Sequence, residues 1–157
     1  MRLSAGTNDD RNQVSASRIY ANGNSDRFGA LYLDGTDIWF VNINFSRKDE
    51  QTLGDASLVV SSEFDSSNIR YLPNMDCLGE VTIKQPRGIC IINYTYMNNP
   101  GDPQQIYVEI IDERGDPMDS PHRIAYSSGQ EQFNSMVALT GDSSYVTTFV
   151  SRQNVGS

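Results

Sequence analysis

Along most of this chain, apolar side chains come in short runs separated by Gly, Pro, Asn, Asp and Ser, a pattern of strands and turns rather than of helices. In the segment 37–45, Trp39, Val41, Ile43 and Phe45 fall on one face, with Asn42 and Asn44 on the other. Period two predicts a strand with one face buried. Glu80-Val81-Thr82-Ile83-Lys84 repeats the pattern, with Val81 and Ile83 pointing inward. Further strands are predicted at 28–33, 57–61, 88–97, 106–111, 123–127, 136–139 and 145–150, which makes about nine in all.

The connections predict how these strands pair. Leu33-Asp34-Gly35-Thr36, Thr140-Gly141-Asp142-Ser143 and Gln85-Pro86-Arg87-Gly88 lie between apolar runs and carry the residues that tight hairpins need. Hairpins imply antiparallel pairing. The best helical window, 66–78, contains Pro73 and lacks a usable cap, so at most one short helix is expected there. The fold class is therefore all-β: an antiparallel sandwich or barrel with hairpin connections. An alternative follows from three hairpin-like units that begin near Phe28, Glu80 and Asn134, roughly 50 residues apart, as propeller blades are. Such a ring would have to close through oligomerisation.

A length of 157 residues corresponds to one domain. Residues 1–27 contain no large apolar side chain beyond Met1, Leu3, Val14, Ile19 and Tyr20 and read as a polar arm; 28–151 is the β domain, and 152–157 a polar tail. Ordering the arm costs roughly 1–2 kcal/mol per residue, so it is expected to find a partner. It either folds back on its own domain as a strand or adds to the sheet edge of a neighbouring subunit.

Composition narrows the function. Hydrophobic residues make up 38% of the chain, charged residues 20% and aromatic residues 10%, which suits a folded domain rather than a disordered one. With 20 Asp+Glu against 12 Lys+Arg, the net charge of -8 disfavours nucleic acid as a partner. No apolar window approaches the length of a membrane span, so no membrane partner is expected. Residues 1–10 lack the apolar run of a secretory signal, which points to synthesis and retention in the cytoplasm. Cys77 and Cys90 are accordingly expected as free thiols, and the sequons at Asn44 and Asn93 as chance.

Candidate chemistry is sparse. His122 is the single histidine, no Gly-x-Ser-x-Gly elbow occurs, and no catalytic relay can be assembled from sequence neighbours. Neither a cofactor nor a metal is expected. Asp112, Glu113, Asp116 and Asp119 crowd around a Gly-Asp-Pro turn, but their spacing is not that of a calcium loop, so the segment reads as a solvated hairpin tip. The same exposed turn spells Arg114-Gly115-Asp116, which resembles the tripeptide that integrin ligands display, over three residues only. Tyr20, Tyr32, Tyr94, Tyr96 and Tyr107 are candidate contacts to a partner or a sugar, since amphipathic rings beside polar side chains serve both.

The leading expectation is a non-enzymatic structural subunit of a large assembly, in concrete form a bacteriophage virion protein such as a capsid decoration or a head or tail accessory protein. Its partners would be other copies of itself and neighbouring assembly subunits, and it would end up in the virion. The alternative is a carbohydrate-binding or receptor-binding β module with glycans as partners. A hydrolase using paired carboxylates stands third.

Overall fold

The computed structural model describes residues 12–22, 25–34, 37–46, 51–60, 73–78, 88–97, 102–124, 130–140 and 144–153. These residues form ten strands and no helix: β1 (Asn12–Asn22), β2 (Ser25–Asp34), β3 (Asp37–Ser46), β4 (Gln51–Val60), β5 (Asn74–Leu78), β6 (Ile89–Tyr96), β7 (Gln105–Asp112), β8 (His122–Arg123), β9 (Gln130–Leu139) and β10 (Tyr145–Gln153). Every pairing is antiparallel and joins neighbours in sequence. The result is a first sheet β1-β2-β3-β4, a second sheet β5-β6-β7-β8 and a two-stranded ribbon β9-β10. None of them closes into a barrel, so the all-β sandwich is the form observed. The two larger sheets share one core rather than radiating from an axis as propeller blades do.

The hairpin turns follow their residues. Asp34 pairs with Asp37, which makes Gly35-Thr36 a two-residue connection between β2 and β3. The Thr140 N–H donates to the Ser144 carbonyl at 2.9 Å and closes the β9–β10 turn. The expected 80–84 strand, its blade-like unit and most of the 85–88 turn lie outside the described residues.

Leu31, Ile38 and Phe40 of the first sheet meet Met75, Cys77, Cys90, Ile92, Tyr94 and Ile111 of the second, forming the main core. Each such side chain, fully buried, contributes about 1.5–3 kcal/mol. Gly29 makes room for it: a Cβ there would stand 2.6 Å from Phe40 Cε2. The strand at 37–45 is thus corrected in one respect. Trp39, Val41 and Ile43 do share a face, but they join Phe28, Ala30 and Tyr32 in a second cluster on the far side of the first sheet. Phe45, at the end of that face, is 40% exposed. The main core takes the opposite face, through Ile38 and Phe40.

The second sheet is the central layer. β6, Ile89-Cys90-Ile91-Ile92-Asn93-Tyr94-Thr95-Tyr96, is buried at every position but the last. Its even positions meet the first sheet, and Ile91 packs with Val108 and Val137 beneath the ribbon. A continuous apolar run is what a strand covered on both faces requires.

One expectation is corrected here, and two more are followed as far as the described residues reach. The window 66–78 contributes no helix where it is described: 74–78 is β5, with Met75 and Cys77 inward and Asn74 and Asp76 turned the other way. Cys77 and Cys90 are not free thiols but a disulfide, because the β5–β6 register sets them directly opposite each other in the core. Cross-strand adjacency brings the two sulfurs within bonding reach. Finally, of the two arrangements open to the polar arm, residues 12–22 take the first: β1 runs antiparallel to β2 of its own chain from Asn12↔Leu33 to Asn22↔Ser25.

Candidate functional site

The inner face of the first sheet changes character along its strands. At one end it carries Leu31, Ile38 and Phe40 into the core. Toward the other end the same face presents Asn42 and then a cross-strand row of Arg27, Asn44 and Thr52. These polar positions are not simply solvated, as alternation alone suggested. They floor a cleft of about 370 Å³, to which β4 adds Gly54, Asp55 and Ser57 and the turn after β7 adds Glu113 and Arg114 as a wall. The volume lies within the range of small-molecule sites, about 300–1,000 Å³.

That wall is the segment read from sequence as a solvated tip, and the structure docks it. The Asp112 carboxylate accepts the backbone N–H groups of Arg114 (2.8 Å) and Asp116 (3.1 Å), curling the turn on itself. Its outward carbonyls are then held by the first sheet: Asn42 Nδ2 donates to the Glu113 carbonyl and Ser57 Oγ to that of Arg114, each at 2.7 Å. Arg27 adds an ion pair to Glu113 at 3.2 Å. Gly115 has φ 91, in the left-handed region, and is buried against Ser57 and Phe40 where a Cβ would clash. Arg114 and Asp116 remain exposed on either side of it. Arg114-Gly115-Asp116 is therefore a clamped turn with a buried centre and exposed flanks.

The tyrosines gather elsewhere. Tyr94 and Tyr107 stack at 6.1 Å, and Tyr96 meets Tyr107 edge-on at 5.5 Å, all on the core side of the second sheet. Tyr32 stacks on Trp39 at 6.4 Å in the outer cluster of the first sheet, and Tyr20 stands in β1 opposite Arg27 in register. Tyr32, Tyr94, Tyr96 and Tyr107 do not line the cleft. Glu109, overlooked in the sequence, shares the face of Tyr107 and Ile111 and is buried, with Oε2 lacking a hydrogen-bond partner among the described residues. Burial pushes its pKa up to about 7. Burial first, then the neighbouring Glu109 charge, holds the Tyr94 phenol well above its ordinary value.

The ribbon is a second surface of interest. It docks by side chains that imitate a sheet edge: Asn74 Oδ1 accepts the Val137 N–H at 3.0 Å and Asp76 Oδ2 accepts the Leu139 N–H at 2.8 Å. Beneath it lie Ile91, Val108 and Val137. Its outer face exposes Met136, Val146 and Val150, at 63%, 53% and 47%. β10 pairs with β9 alone among the described strands.

His122 stands exposed in the edge strand β8, with Nε2 3.0 Å from the Tyr145 hydroxyl, and so links the second sheet to the ribbon. The cleft brings Asp55 and Glu113 to one opening, with Glu113 engaged by Arg27. Among the described residues no group of three or more His, Cys, Asp or Glu is arranged to hold a metal, and no helix is long and apolar enough to cross a membrane. Comparison of the chain with protein-family models, with curated proteins and with solved structures yields no match.

Proposed function

We propose that this protein is a non-enzymatic structural subunit of a larger assembly, joined to a second copy of itself through the β9–β10 ribbon. The observation that carries the reading is the exposed apolar stripe of Met136, Val146 and Val150 beside the edge of β10 that has no strand partner among the described residues. A strand edge with unpaired N–H and C=O groups is a template for another strand, and monomeric proteins ordinarily blunt it with charge, Pro or a bulge. Here the stretch 145–150, Tyr-Val-Thr-Thr-Phe-Val, carries no charge and no Pro, and the register irregularity between Thr148 and Val150 places its extra residue on β9 rather than on this edge.

Charge favours a like partner at this surface. Residues 130–153 hold only Glu131, Asp142 and Arg152 as charged groups, and Glu131 and Arg152 pair with each other. The ribbon is thus the nearly neutral part of a chain carrying -8, where a second copy meets the least repulsion. Antiparallel pairing of two β10 strands about a twofold axis would merge two ribbons into one four-stranded sheet, a self-complementary contact of the commonest kind. A bacteriophage virion, with the protein as capsid decoration or head or tail accessory subunit, is the assembly proposed; the all-β hairpin architecture and the acidic balance support it.

Light scattering on the purified protein tests the reading. The expected result is a mass of two or more 17.5 kDa chains, falling to one in Val146→Lys/Val150→Lys. A parent that stays a single chain at every concentration, or an oligomer indifferent to the two lysines, overturns it.

A further inference from the structure

We infer that the polar cleft between the first sheet and the 112–116 turn is a binding site for a neutral saccharide. The site is separate from the ribbon and does not depend on self-association. Its lining balances two guanidinium groups, Arg27 and Arg114, against two carboxylates, Asp55 and Glu113. Arg27 and Glu113 already pair at 3.2 Å. A ligand of either charge would therefore meet as much repulsion as attraction, whereas an uncharged one meets none.

What the cleft offers such a ligand is a floor of amides and hydroxyls. Arg27, Asn44 and Thr52 are register partners across three strands, so their polar groups stand side by side at the spacing of a sheet, about 4.8 Å between strands. A single ring with several hydroxyls can span that row and use both donors and acceptors in it. Asn44 Oδ1 is buried and has no hydrogen-bond partner among the described residues. A buried acceptor without a donor is unfavourable, and a ligand hydroxyl reaches this one only when the Asn44 side chain turns toward the cleft. Asp55, exposed at the rim, adds a carboxylate able to accept from two adjacent hydroxyls.

The floor is rigid enough to recognise shape. Asn42 and Ser57 are committed through their donors to the Glu113 and Arg114 carbonyls, which hold the wall at a set distance. Among the described residues no aromatic ring lines the cleft, so none of them adds the stacking contribution common in sugar sites. Binding should be weak, with a Kd on the order of millimolar.

The test is titration of the isotope-labelled protein with glucose, galactose, mannose and N-acetylglucosamine, followed by amide chemical shifts. At least one sugar is expected to give saturable shifts at Asn44, Thr52, Ser57 and Arg114. Asp55→Ala, a substitution at an exposed position, and Asn44→Ala should each weaken that binding by about tenfold or more. Val146→Lys/Val150→Lys should leave it unchanged, which separates this site from the ribbon. Absence of saturable shifts with all four sugars overturns the proposal, as does binding indifferent to both cleft variants. Tighter cleft binding of acetate or methylammonium than of every sugar overturns it equally, by showing a charge-selective site.

Discussion

β6 and β10 are strands of nearly equal length, eight and nine residues, in opposite circumstances. β6 has a strand on each edge and a layer on each face, and its run of Ile89-Cys90-Ile91-Ile92 is continuous because neither side meets water. Among the described residues β10 has one strand neighbour and one covered face. Its two faces are less sharply divided than a solvated ribbon wants, although Tyr145 and Phe149 share the inward face with Thr147. Thr147 points inward with a buried hydroxyl that lacks a partner among the described residues, while Val146 and Val150 point outward. Stability is concentrated where apolar groups face inward from both sides, and association is available where they face outward beside an open edge.

The contrast can be broken by substitution. Ile92→Ala in β6 removes a fully buried side chain from the main core and should cost about 2–5 kcal/mol. Val146→Lys, on the exposed face, should change the stability of the dissociated chain by less than about 0.5 kcal/mol. Denaturant unfolding of both variants, at a concentration low enough to dissociate the parent, checks the pair. Comparable losses would mean that the ribbon's outer face belongs to the fold and not to a partner.

The central layer also carries a cost that pH can reveal. Below about pH 4.5 Glu109 is protonated in the folded and unfolded chain alike. As pH rises toward 7 the unfolded chain releases its proton first, because the folded pKa is raised to about 7 by burial. Stability contributed by this site therefore declines across that window, by about 3 kcal/mol at its end. Glu109→Gln should be increasingly more stable than the parent from pH 4.5 to 7, read as a widening difference in Tm. A constant difference across the same range would mean that Glu109 stays charged in the folded protein.

Particular residues show what the sequence made legible. The strand at 37–45 is plain from its alternation, yet alternation cannot tell which layer lies over each face. Asn42 and Asn44 read as solvated because they are polar; in fact Asn42 reaches a carbonyl 71 residues away and helps build a cleft. β5 carries a clear period-two pattern in Asn74-Met75-Asp76-Cys77, obscured by reading it as the end of a helical window. The disulfide needed only the β5–β6 register, which places Cys77 opposite Cys90. β1 was harder to foresee, because its pairing to β2 is a backbone ladder that owes little to side-chain pattern. Glu109 gave no signal, since an acidic residue within an alternating strand ordinarily marks the wet face.

Native-state hydrogen exchange followed as a function of protein concentration tests the division between the two strands most directly. β6 amides should exchange slowly at every concentration, while alternate amides of β10 on the edge away from β9 should exchange rapidly in dilute solution and become protected as concentration rises. Exchange at the β10 edge that is slow in dilute solution, or fast and unchanged at high concentration, would contradict the proposal that this edge pairs with a second copy of the chain.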